Sequence, residues 1–283
     1  MKPVVLSRHD LWLDLLKRLT ARSERWLVWK NAGSALHGEG DIDSAAPAED
    51  WVALQGDFDA WVKDHDLWPA TACGHIPGGL NLVAFPAGES TFLEVSIKAT
   101  KAFRGATLFR MEQLLPLAEL DPEGYRRLRP GAEGVLKLLL NGTAWLGREN
   151  PAGLAAKNVR SLLVADLAGA RLAASLAGNS EDALIQLAAA VAHGHWDAKA
   201  AARVERHFLA KTLADPRAAE RRLVFRTTAQ RRCPVVKAIL SEGRRVPADR
   251  EKWLAAVASS HTVAGRDSGL SYEGAQQPRG ESR

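Results

Sequence analysis

Two aspartates separated by one apolar residue, Asp41-Ile42-Asp43, are the sharpest chemical feature of the chain. Along a strand, alternate side chains share a face, so both carboxylates point one way while Ile42 points into a core. Two carboxylates on one face make a hard-oxygen site suited to Mg2+ or Mn2+, whose other positions go to water and substrate phosphates. A small-residue turn, Asn31-Ala32-Gly33-Ser34, comes before them, and Gly38 and Gly40 lie just ahead of Asp41. Glycine lets backbone approach a phosphate closely, and Ser34 offers a hydroxyl donor. Further on, Leu93, Val95 and Ile97 alternate with Glu94, Ser96 and Lys98. Glu94 is the only carboxylate on that polar face, and beside the aspartates it would complete an acidic cluster as ligand or general base.

The elements that must position these residues form an α+β pattern. Leu11, Leu15, Leu16 and Leu19 predict a helix over Asp10–Thr20, with Asp10 as its N-cap. Trp26–Trp29 reads as a buried strand running into the small-residue turn, and Asp41–Ser44 as a second strand. Pro47–Asp66 reads as a helix with Trp51, Leu54, Phe58, Trp61 and Val62 on one stripe. Strands follow at Leu80–Phe85, after the turn Pro77-Gly78-Gly79, and at Phe92–Lys98, with a loop over Pro86–Ser90 between them. From about Leu128 the β pattern stops. Gly131–Trp145, Gly153–Leu167, Arg171–Ala177, Glu181–His193, Ala198–Leu213, Arg217–Gln230 and Arg250–Ser259 read as helices. The organisation expected is a catalytic domain over 1–128, an all-helical domain over 129–261 and a disordered tail over 262–283.

A strand, an Ala32-Gly33-Ser34 turn, an Asp41-Ile42-Asp43 strand and a later acidic strand together resemble the polymerase-beta-like nucleotidyltransferase superfamily. Lys30-Asn31, Gly40-Asp41-Ile42-Asp43 and Phe103-Arg104-Gly105 look like an uncharacterised bacterial branch of it, and the resemblance covers roughly residues 25–115. It implies a nucleotidyltransferase-like mixed sheet with flanking helices. It also implies an enzyme that moves a nucleoside monophosphate from a nucleoside triphosphate, such as ATP, to a small molecule, protein or RNA. Asp41 and Asp43 would hold a metal ion on the triphosphate, Glu94 would hold a second metal and help deprotonate the acceptor hydroxyl, and Gly33 and Ser34 would grip the terminal phosphates. Lys30, Lys98, Arg104 or Lys137 would neutralise them. Ser96 falls where the family often carries an aspartate. The alternative is a non-catalytic member of the fold used for binding, with nucleic acid as one candidate ligand.

Composition bounds the rest. Hydrophobic residues make up 46% and charged residues 25%, which suits a folded protein with a sizeable core. Only two cysteines, Cys73 and Cys233, argue against a disulfide framework and for a reducing, cytoplasmic setting. No signal peptide or membrane span is expected. Net charge is +5 but uneven. Residues 39–66 carry nine acids against Lys63, and residues 203–250 carry thirteen Arg/Lys against five Asp/Glu. That basic stretch makes RNA a candidate partner, against the plainer reading of a solvated helix surface. His193 and His195 read as a cationic pair at a helix end rather than a zinc site, and the tryptophans as core.

Overall fold

The computed structural model describes residues 6–38, 40–67, 70–73, 79–86 and 93–215. Ser7 opens helix α1 (Arg8–Arg22): its hydroxyl accepts from the Asp10 amide, so the cap lies three residues ahead of the one expected at Asp10. The chain then runs through β1 (Leu27–Lys30), α2 (Ala32–Leu36), β2 (Ile42–Ala45), α3 (Trp51–Asp64), β3 (Ala70–Cys73), β4 (Gly79–Ala84) and β5 (Leu93–Lys98). Next come β6 (Thr100–Phe103), β7 (Ala106–Arg110), β8 (Ala118–Leu120) and β9 (Arg126–Leu128). The helices α4 (Pro130–Lys137), α5 (Pro151–Ala156), α6 (Val159–Ala165), α7 (Leu167–Ala174), α8 (Glu181–Ala192) and α9 (Ala198–Ala214) follow.

The architecture is α+β: a mixed seven-stranded sheet in the order β3-β4-β5-β2-β1-β9-β8, flanked by helices. β5 runs parallel to β2 and β9 parallel to β1, while β1 and β2 are antiparallel. The hairpin β6–β7 forms a separate pair. The alternation expected in β5 holds: Leu93, Val95 and Ile97 face a core with Ile42, Trp26 and the apolar stripes of α1 and α3. The opposite face packs Leu27, Trp29 and Ala45 against the β6–β7 hairpin and helices α4 to α9 in a second core. That core runs without a break across Leu128, where β9 hands over to α4.

Several expected helices are shorter than their apolar patterns. The one expected over Gly131–Trp145 gives way after Lys137 to a π-helical turn, Leu138–Gly142, closed by the Thr143 hydroxyl donating to the Leu138 carbonyl. The one expected over Gly153–Leu167 is split at Asn158, whose left-handed φ of 50° halts the helical ladder. Asp166 then ends α6 and caps α7 by accepting from the Gly169 amide. The small-residue turn at 31–34 is mostly the first turn of α2, with only Asn31 outside it. Arg217–Gln230, Arg250–Ser259, the tail over 262–283, Cys233, His75 and most of the two loops flanking β4 lie outside the described residues. Among the described residues no single helix is long and apolar enough to cross a membrane.

Candidate functional site

Asp43 stands near the start of β2, and Asp41 immediately precedes that strand. Both are buried, Asp41 at 7% and Asp43 at 8% exposure. Period-two geometry puts them on the sheet face of Ala45, the face partly covered by the helices. β5 lies alongside in parallel register, with Asp43 level with Ser96 and Ile42 level with Val95. Glu94, Ser96 and Lys98 share the face of Asp43. The residue level with Asp43 is therefore Ser96, and Glu94 stands one pleat earlier. Among the described residues no three His, Cys, Asp or Glu side chains group closely enough to hold a metal ion. Of the residues expected to form the cluster, Asp41 and Asp43 share β2 and its approach, and Glu94 stands on the neighbouring strand β5.

Strict alternation along β1 would send Trp29 and Lys30 to opposite faces. The pairing with β2 is irregular there: Val28 lies level with Ser44, yet Lys30 lies level with Asp43. An extra residue in one strand re-aims its side chains, and here it turns Lys30 onto the face of Asp43. Its Nζ lies 2.9 Å from Asp43 Oδ2. Asn31, at a φ of 70° that asparagine tolerates better than most residues, donates its side-chain amide to the same oxygen at 3.2 Å. The Asn31 backbone amide donates to Glu133 of α4, and Glu133 also pairs with Lys137. Asn31, Glu133 and Lys101 had no part in the expected site, although the i, i+4 spacing of Glu133 and Lys137 was visible.

Lys101 reaches the same face from the β6–β7 hairpin. Its ammonium lies 5.7 Å from the centroid of the buried Trp29 ring, and that of Lys30 lies 4.9 Å from it. Lys98 is 6% exposed and runs over Gly79 of β4, where a Cβ would sit 2.5 Å from its Nζ. Burial pushes the Asp43 carboxyl above its ordinary value: Lys30 pulls the other way, but the Asp41 charge adds to the push. Burial brings Lys98 down to about 8, with Lys101 adding to the shift and Asp43, Glu94 and Asp41 opposing it. Lys101 is also lowered, again chiefly by burial.

A cavity of about 200 Å3 opens beside Asp41, lined by Asn31, Ser34, Gly40, Lys137 and the α5–α6 junction at Ala156, Lys157 and Asn158. Lys157 is a lining cation that the sequence reading did not single out. Gly33 and Ser34 are exposed, and a Cβ at Gly33 would meet nothing within 4 Å. No packing within the described chain therefore demands glycine there. The chain matches no family model, no curated protein and no solved structure.

Arg104 is committed elsewhere. Its guanidinium pairs with the buried Glu205 of α9 and donates to the Thr143 and Ala144 carbonyls, and it stacks on Phe103 and Trp145. None of these residues lines the cavity. The exposed His37 ring contacts the Gly33 carbonyl. His193 lies at the end of α8 with its ring against the Ala189 carbonyl. Of the tryptophans, Trp12, Trp26, Trp29 and Trp61 are wholly buried, whereas Trp145 is exposed.

Proposed function

We propose that this chain is a metal-dependent nucleotidyltransferase, moving a nucleoside monophosphate from a nucleoside triphosphate to an acceptor hydroxyl. The observation that carries the reading is the pair Asp41 and Asp43, buried on one strand face, with Asp41 at the edge of a cavity that Ser34, Lys137 and Lys157 also line. Mg2+ or Mn2+ fits this pair, because two carboxylates on one face leave most coordination positions for water and phosphate oxygens. When bound, the cation neutralises charge on the transferring phosphoryl group.

The chain's own groups do the rest. Pockets that enclose a whole drug-sized ligand run to about 300–1,000 Å3, so the cavity suits the phosphates and leaves the nucleoside outside. Ser34 donates to phosphate oxygens from one wall, and Lys137 and Lys157 neutralise them from the other. Asn31 and Lys30 fix the Oδ2 atom of Asp43, which leaves Oδ1 for the cation. Glu94, on the same sheet face, takes the acceptor's proton. The acceptor oxygen then bonds to the α-phosphorus as the bond to the bridging oxygen breaks, and pyrophosphate leaves. Because catalysis of this kind is chiefly positioning and charge neutralisation, fixed lysines and a fixed Asp43 are the relevant equipment.

The second reading is a binding module of the same fold that transfers nothing. It is favoured by one observation: Ser96, not an acid, lies level with Asp43. The acceptor is left open among small molecule, protein and RNA, because the basic 203–250 stretch lies almost wholly outside the described residues. One experiment separates the readings. The protein is heated with Mg2+ and each triphosphate in turn, then incubated with labelled triphosphate and cell-extract fractions. A ligand that binds only the folded state raises Tm. The enzyme reading expects a Tm rise and labelled product, both lost in Asp41→Asn and Asp43→Asn. A Tm rise with no product in any fraction supports the binding module, and neither signal removes both.

A further inference from the structure

Resting on the nucleotidyltransferase reading, we propose that the pocket works with a single divalent cation and that the Lys98 ammonium supplies the positive charge a second cation would bring. Three observations lead there. First, the position level with Asp43 on the neighbouring strand is Ser96, whose hydroxyl carries no charge to hold a second metal. Second, Lys98 is more than nine-tenths buried on that same face, and its Nζ has no hydrogen-bond partner among the described residues. A buried ammonium without a partner is costly, so a fold with no use for it would do better with an apolar side chain of similar length. Third, Lys98 lies closely over Gly79, its Nζ 2.5 Å from where a Cβ there would sit, so the glycine leaves the ammonium room in its present position.

Charge supports the same conclusion. Asp41, Asp43 and Glu94 all act electrostatically on Lys98, as does Lys101, and Lys101 in turn responds to Lys30. Three carboxylates and three ammonium groups thus cancel before any cation arrives. A site for two divalent ions needs a surplus of carboxylate, whereas one cation added to a neutral cluster leaves a net positive pocket ready for a polyphosphate. Burial lowers the affinity of Lys98 for its proton but leaves most of the population charged at neutral pH. Lys98 is accordingly a fixed cation on the sheet face of the aspartates, carried by β5 with its Nζ over Gly79, while Lys30 enters from β1 and Lys101 from the hairpin.

The test counts metal ions rather than turnovers. Mn2+ is titrated into the full chain with a non-hydrolysable triphosphate analogue and counted by electron paramagnetic resonance. One Mn2+ per chain at saturation is expected. Two per chain would overturn the proposal and leave the nucleotidyltransferase reading standing, and no binding of the analogue would overturn both. Lys98→Met supplies a second readout, after circular dichroism shows that the variant is folded. Removing the ammonium should tighten Mn2+ binding without nucleotide by about fivefold and weaken analogue binding by about fivefold, as loss of one nearby charge requires. A folded variant in which either affinity is unchanged would overturn the proposal. The wild-type count stands even if the variant does not fold.

Discussion

Ser96 lies level with Asp43 on adjacent parallel strands, so a hydroxyl stands where a third carboxylate would face the aspartate pair. Replacing it with aspartate should convert the pocket. Ser96→Asp adds a like charge on the same face and should destabilise the metal-free protein by about 1 kcal/mol or more at neutral pH, since directly opposed like charges are unfavourable. Mn2+ affinity should rise by about tenfold, because affinity follows the number of charged ligands. Urea denaturation and calorimetric titration measure the two effects. Unchanged Mn2+ affinity would mean that the Ser96 face does not look onto the metal position.

Lys98 gives the folded protein a pH dependence of known sign. Its pKa is lowered from 10.5 to about 8, so between those values the unfolded chain binds a proton that the folded chain does not. Stability therefore rises with pH through that window, and the penalty is fully present below about pH 8. At 1.36 kcal/mol per unit, the difference is about 3 kcal/mol. Denaturation of wild type and Lys98→Met at pH 7 and pH 10 should show the variant more stable at pH 7 and the gap closing at pH 10. A gap independent of pH would refute a buried, titrating Lys98.

Arg104 should matter for folding and not for nucleotide. Its partner Glu205 is 2% exposed and also accepts from the Gly147 amide. Arg104→Ala leaves that carboxylate without its cation and should cost about 3 kcal/mol of stability. Triphosphate affinity, measured below the unfolding transition, should stay within about twofold of wild type, since no contact to the cavity is removed. Selective loss of triphosphate binding with unchanged stability would restore Arg104 as a phosphate clamp.

Glu133 is a positioning residue at the junction of α4 and the Asn31 turn. Its carboxylate holds Lys137 and the Asn31 amide together. Glu133→Gln keeps the shape but leaves the buried Lys137 ammonium unneutralised, so stability should fall by about 2–3 kcal/mol. Asn31 also holds Asp43, so Mn2+ affinity should fall while Lys137→Met in the same background recovers stability and not metal binding. Recovery of both would show that Glu133 acts on charge alone.

Much of the site was legible because period-two alternation is a local property. The shared face of Asp41 and Asp43, the buried Ile42 and the polar face of β5 follow from spacing alone. Lys30 could not be placed the same way, because the irregularity in β1 that turns it toward Asp43 depends on pairing with β2. Lys101 was invisible for a different reason. The β6–β7 hairpin turns through Arg104 and Gly105 at φ values of 51° and 102°, and an Arg-Gly pair carries a weaker hairpin signal than Asn-Gly. The β8–β9 hairpin had a readable cue in Asp121-Pro122-Glu123-Gly124, where Gly124 takes a φ of 93°, but its short strands lack an apolar run. The contribution of Lys157 comes from the break at Asn158, a tertiary choice made within a continuous helical pattern.

On the nucleotidyltransferase proposal, the apolar core that crosses Leu128 bears on how a nucleotide would enter. Trp29 and Ala45 from beneath the aspartates share it with Val135 and Leu139 from the segment that carries Lys137. Many two-body transferases clamp their substrates by swinging one lobe against another about a flexible crease. Here the floor and the facing wall are welded by the same packed side chains, so opening them would expose that core to water. On that proposal, a nucleotide would therefore meet a floor and a wall that are fixed to one another, and entry would turn on side-chain movement rather than on the swing of a lobe.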